Sequence, residues 1–155
     1  MKLEAQWIVG FVDGEGCFSV SINKNAGITL KLQVIPEFVV VQHERDIKIL
    51  HALKEYFKCG VVRRNHGDRF CYRVRGHVPL HSRIIPFFEA HSLKTAKKVD
   101  FIKFRSIILL MKAGEHLTSE GLVKIDAIMQ TMNNRAKPGV IYKKNVEILS
   151  IKLEN

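Results

Sequence analysis

The hydrophobic period of this chain changes once, abruptly, at Gly14-Glu15-Gly16, and that change constrains everything built on either side of it. Before it, Leu3, Trp7, Ile8, Phe11 and Val12 recur at helical spacing and predict a helix over residues 3–13. After it, Phe18, Val20 and Ile22 alternate with Cys17, Ser19, Ser21 and Asn23, the two-residue period of a strand with one apolar face. No single element carries both periods. The chain must therefore turn at the glycines and deliver a helix directly into a strand.

The strand period continues beyond a turn at Lys24-Asn25-Ala26-Gly27, with Ile28, Leu30, Leu32 and Val34 apolar and Thr29, Lys31 and Gln33 opposite. This predicts a long hairpin, bent at Pro36. Ile47, Leu50, Leu53 and Phe57 mark a second helix that closes near Gly60. A second hairpin turns at Asn65-His66-Gly67-Asp68, and its return strand alternates Phe70, Tyr72 and Val74 with Arg69, Cys71, Arg73 and Arg75. Helices are predicted over residues 80–91 and 95–113, and from a Thr118 cap to about Asn133. Weak strand character follows Pro138-Gly139, over Val140–Asn155. Hairpins interleaved with helices define an α+β fold, an antiparallel sheet covered on one side by helices. No linker or repeat interrupts the 155 residues, which predicts a single domain with a core at about 3–135 and a tail at 136–155.

The outward residues of the four predicted strands are Ser19, Ser21, Asn23, Thr29, Lys31, Gln33, Arg63 or Arg64, Arg69, Arg73 and Arg75. Such a face can hydrogen-bond bases and phosphates, with Arg suited to guanine, Asn and Gln to adenine, and Lys or Ser to phosphate. A solvated face is the plain alternative for an antiparallel sheet, but it usually mixes charge signs. Lys and Arg number 25 against 15 Asp and Glu, a net +10 that favours a polyanionic partner. Phe18, Phe70 and Tyr72 fall on the apolar side, which disfavours stacking on single strands and favours a duplex. The basic residues concentrate on strands and no apolar run is long enough to span a bilayer, which argues against a membrane protein.

Three scattered cysteines, Cys17, Cys59 and Cys71, form no CxxC pair and argue against a zinc site or a disulfide framework. With no signal-peptide layout in residues 1–16, an intracellular setting is expected. The seven His show no metal-ligand spacing.

Gly10 inside a helix is disfavoured by about 1 kcal/mol relative to Ala and needs a reason. Gly10 and Gly14 share one helix face, where another backbone could approach. Asp13 and Glu15 stand at the helix C-terminus, where the dipole opposes negative charge. Two acids placed against the dipole point to metal binding or to capping a neighbouring helix. The segment Ile8–Gly16, IVGFVDGEG, resembles the nonapeptide of the LAGLIDADG homing endonucleases. Val41-Gln42, Cys59-Gly60-Val61-Val62 and Leu93–Phe101 resemble later segments of the same family, and the similarity covers about residues 3–135. A single copy of the motif resembles the homodimeric branch.

The resemblance implies a saddle-shaped DNA-binding sheet and a motif helix that packs on its counterpart at a dimer axis through Gly10, Asp13 and Gly14. It implies Glu15 as metal ligand, with the Gly14 carbonyl beside it and Asp13 capping the partner's helix. It implies Mg²⁺ as cofactor, with Mn²⁺ able to substitute. Gln42 matches a residue that orders water at the scissile phosphate. Lys97 matches the basic residue of the active site, and Lys94 or Lys98 takes its place if the alignment shifts. The implied partner is a long pseudo-palindromic duplex cut once in each strand. A role with intron RNA, or DNA binding without cleavage, is the alternative. An intron-encoded protein of this kind belongs in an organelle or a bacterial cytoplasm.

Overall fold

A computed structural model describes residues 1–133. Helix α1 (Ala5–Glu15) runs into strand β1 (Gly16–Lys24), followed by β2 (Leu32–His43) and α2 (Ile47–Phe57). Strands β3 (Val61–His66) and β4 (Arg69–Arg75) form the second hairpin. Short helices α3 (His77–Pro79) and α4 (Ile85–Ala90) are joined by a π-helical turn, and α5 (Lys97–Lys112) and α6 (Ser119–Met129) follow. The sheet has four antiparallel strands in the order β1-β2-β4-β3. The α+β layout expected from the sequence is the fold observed. Among the described residues no helix is long and apolar enough to cross a membrane.

The junction behaves as its periods demand. A Cβ on Gly16 would stand 2.6 Å from the Val12 side chain and 3.0 Å from its carbonyl. Only glycine lets the chain leave the helix this tightly. The first hairpin differs from expectation. Lys31 takes a left-handed conformation (φ 58°), and Asn25 N donates to Lys31 O at 2.9 Å, closing a turn over residues 25–31. Thr29 and Lys31 therefore lie in the loop, with the Lys31 ammonium donating to Ala26 O at 2.7 Å. A side chain at the wrong backbone angle breaks an alternation that the sequence alone appears to continue.

Pro36 sits in a central strand where β2 runs past the end of β4, since Arg75 pairs with Glu37. Its carbonyl accepts the Gly76 N–H at 3.2 Å, so its lack of an N–H is tolerated there. The helical layer covers the face bearing Phe18, Phe38 and Tyr72, all fully buried. Phe18 stacks on Phe38 with ring centroids 5.1 Å apart and meets Phe88, Phe101 and Phe104 edge-on or tilted. Thr118 Oγ1 accepts the Gly121 N–H at 3.0 Å, the expected cap, but α6 ends at Met129 and not near Asn133. The weak strand character noted over Val140–Asn155, like the rest of the tail, lies outside the described residues.

Candidate functional site

The end of α1 gathers the chemistry. The Asp13 carboxylate accepts the backbone N–H of Lys94 (2.8 Å), that of Thr95 (3.2 Å) and the Thr95 hydroxyl (2.7 Å). Burial acts to raise the Asp13 pKa, but the Thr95 hydroxyl, the two N–H donors and the Lys97 ammonium outweigh it and hold the carboxyl below its usual value. Both oxygens are thus engaged within its own chain, just ahead of α5.

Lys97 returns the favour from the first turn of α5. Its ammonium donates to the carbonyls of Val12 (2.8 Å) and Asp13 (2.9 Å) in the last turn of α1, where the Val12 carbonyl also accepts the Gly16 N–H. A cation at this end also complements the helix dipole. Burial lowers the Lys97 pKa, opposed by Cys17, Asp13, Glu15 and Asp100. Lys94 and Lys98 are exposed, whereas Lys97 is half-buried. Of the three lysines, Lys97 is the one whose ammonium is bonded to the end of α1.

Glu15, the last residue of α1, is exposed and makes no hydrogen bond or ion pair among the described residues. The Gly14 carbonyl beside it lies in the last helical turn, beyond the reach of helical donors. Val40 pairs with Gly16, so Gln42 extends two residues beyond the α1–β1 junction. It pairs with Phe70 and stands on the helix-covered side of the sheet at its rim. Among the described residues no group of three or more His, Cys, Asp or Glu could hold a metal. At this end of α1 Glu15 is the carboxylate that the described residues leave free, which suits a hard cation completed by oxygen ligands from elsewhere.

Among the described residues no helix covers the other face of the sheet. Cross-strand pairing places Ser19, Ser21, Asn23, Gln33, Arg63, Arg69, Arg73 and Arg75 there. Arg64 is an exception. It pairs with Phe70, and its guanidinium lies 4.9 Å over that ring on the helical side. Two further features escaped the sequence. Ile35, Val39 and Val41 give the face an apolar centre. Glu37, also on this face, pairs with Arg75 and stands 3.7 Å from Arg73 Nε, so the arginines are not free of acid. The parity of β2 past Pro36 was the signal for all of these.

This combination of a motif helix ending in a free carboxylate and an uncovered, mainly basic sheet belongs to a known class. The sequence pattern of the LAGLIDADG endonucleases matches residues 8–108, and the chain belongs to that family. It is 49% identical to the homing endonuclease I-TnaI, whose crystal structure superposes with a TM-score of 0.89 over 96% of this chain and 99% of that one. I-SmaMI, solved bound to uncleaved DNA target in the presence of calcium ions, is 31% identical with a TM-score of 0.89, covering 94% of this chain and 49% of that one. The probable intron-encoded endonuclease 2 of Neurospora crassa is 31% identical over 77% of this chain and 25% of its own length. The DNA endonuclease I-CeuI of Chlamydomonas moewusii is 30% identical over 76% of this chain and 56% of its own. The chain thus spans a quarter of one of these curated relatives and about half of the other.

Proposed function

We propose that this protein is a homodimeric homing endonuclease, intron-encoded, that binds a long pseudo-palindromic DNA duplex and hydrolyses one phosphodiester in each strand. The carrying observation is Glu15, an exposed carboxylate held without a partner at the end of α1, beside an ammonium and at the rim of the uncovered sheet. The solved relative bound to uncleaved DNA in the presence of calcium ions supports both a duplex and a divalent cation.

Glu15 and the Gly14 carbonyl would hold the cation, Mg²⁺ by the oxygen-only donor set, with Mn²⁺ able to substitute. Such an ion, when bound, neutralises charge developing on the phosphate and lowers the pKa of a water. Lys97 has two of its three N–H groups on α1 carbonyls, which leaves one to aim at the phosphate. Gln42 orders the attacking water through its amide. Asn23, Gln33, Arg63, Arg69, Arg73 and Arg75 read or grip the duplex, with Ser19 and Ser21 on the same face. Lys31 lies beyond the strand end and reaches phosphate from the loop.

The homodimer is supported by α1. Gly10 and Gly14 are exposed on one side of the helix, and a Cβ at either would meet nothing within 4 Å. The fold of one chain does not require glycine there, whereas close approach by the same helix of a second copy does. A two-fold axis then brings two Glu15 side chains together, one for each strand. Relatives named as intron-encoded endonucleases, including one from a cox1 intron, support an organellar setting.

Cleavage selection from a large duplex pool tests this. With Mg²⁺, recovered ends sharing one pseudo-palindrome and a staggered cut are expected. Glu15→Gln should abolish cutting while binding in Ca²⁺ persists. Cutting that survives the substitution would remove Glu15 from the site, and enrichment by binding alone would leave a non-cleaving DNA binder.

A further inference from the structure

The Thr95 hydroxyl occupies an unusual position between two charged groups. Its oxygen donates to Asp13 Oδ1 at 2.7 Å and accepts the Lys97 backbone N–H at 3.2 Å. The Lys97 ammonium in turn bonds the carbonyls of Val12 and Asp13. A ring is closed: carboxylate to hydroxyl, hydroxyl to the start of α5, and the side chain of that residue back to the helix carrying the carboxylate. Thr95 is itself exposed, so packing does not explain its presence.

We infer that Thr95 is a positioning residue, holding the Lys97 ammonium against the end of α1 beside Glu15; its consequence for cleavage rests on the function proposed above. The physical need is specific to lysine. Its ammonium sits on a flexible four-carbon stem and is strongly hydrated, so burial works against its staying near the helix. Two carbonyl acceptors offset part of that loss only while the backbone of Lys97 stays in register with α1. At Lys97 itself that register runs through the hydroxyl, because the Lys97 N–H is among the first of α5 and has no helical acceptor, whereas the next N–H, of Lys98, is held by the Thr95 carbonyl. Removing the hydroxyl frees this N–H and deletes the shortest of the Asp13 bonds together. The Lys94 and Thr95 N–H groups, still on Asp13 at 2.8 and 3.2 Å, keep the loop near α1, and the Lys98 N–H stays on the Thr95 carbonyl at 3.0 Å, but none of these holds the Lys97 N–H.

The test uses three variants and two measurements. In the metal-free, DNA-free protein labelled with ¹⁵N, the Lys97 ammonium should give a slowly exchanging signal at mildly acidic pH. Thr95→Val, equal in shape, should lose that signal, with amide signals away from Asp13 and residues 94–98 unchanged. Thr95→Ser, which restores the hydroxyl, should keep it. A Lys97 signal that persists in Thr95→Val overturns the inference. In single-turnover cleavage at saturating DNA, Thr95→Val should lower the rate constant by about 10- to 100-fold without changing affinity measured in Ca²⁺. In a Lys97→Met background the same substitution should add nothing, because one residue acts through the other. Full additivity overturns the inference even if cleavage falls. A wild-type protein that cuts no target, yet shows the expected ammonium signals, overturns the endonuclease reading and leaves the positioning role standing.

Discussion

Replacing Gly10 with Ala has opposite consequences for one chain and for two. Within the chain, the new methyl would meet nothing within 4 Å. Alanine is favoured over glycine in a helix by about 1 kcal/mol, so the folded monomer should gain roughly that amount. For a domain of this size that is a rise in Tm of about 2–4 °C. At a two-fold axis each substitution counts twice, because both helices carry it. Overpacking a close contact costs about 1–3 kcal/mol for each inserted group, or about 2–6 kcal/mol for the pair. The dimer dissociation constant should therefore rise by about 30-fold or more. Sedimentation equilibrium measures the second effect, and thermal melts at concentrations where the protein is monomeric measure the first. A higher Tm with unchanged dimerisation would place Gly10 away from the axis. A lower Tm in the monomer would mean the methyl collides within the chain, and the argument from empty space would fail.

Asp13→Ala removes three hydrogen bonds to a charged acceptor and should cost about 2 kcal/mol, lowering Tm by about 4–8 °C near neutral pH. Because folding depresses this carboxyl's pKa, its contribution is present above the ordinary carboxylate range and is lost as pH falls through the folded value. The gap between wild type and variant should narrow on acidification, and a gap unchanged in acid would contradict the assignment. Glu37→Gln should release Arg73 and Arg75, tightening non-specific DNA binding and steepening its salt dependence by about one unit of slope; anisotropy titrations across a salt series measure both. Arg73→Ala should weaken specific binding by about 1–3 kcal/mol if its guanidinium reads a base, and an unchanged Kd would remove it from the interface.

The elements that announced themselves in the sequence are those whose period is carried by their own side chains. The α1–β1 junction and strand β4 were legible because burial on one face leaves an alternation that nothing interrupts. The start of β2 was not, because Lys31 adopts a left-handed backbone that side-chain hydrophobicity does not report. The composition of the open face was legible only in part. Arg69, Arg73 and Arg75 follow from one strand's parity, but which of Arg63 and Arg64 faces outward is set by the β3–β4 register, which pairs Arg63 with Cys71 and Arg64 with Phe70. Glu37, Ile35, Val39 and Val41 required knowing that β2 continues through Pro36 without losing its parity. That continuity depends on where β4 ends, a tertiary fact.

The site combines the two cases. The sequence shows two acids placed against the dipole of α1 and cannot say which is the anomaly. The structure divides them. Asp13 is answered by N–H and hydroxyl donors 81 and 82 residues away, contacts that no local pattern encodes. The helix carbonyls are answered by Lys97, from equally far along the chain. Glu15 alone finds no hydrogen-bond or ion-pair partner among the described residues. A carboxylate kept beside a helix C-terminus is disfavoured by the helix field, and the Lys97 ammonium, engaged with two carbonyls, offsets this only through space. Under the proposed function a divalent cation shared with DNA phosphate would offset that cost, since its charge and ligand preference match.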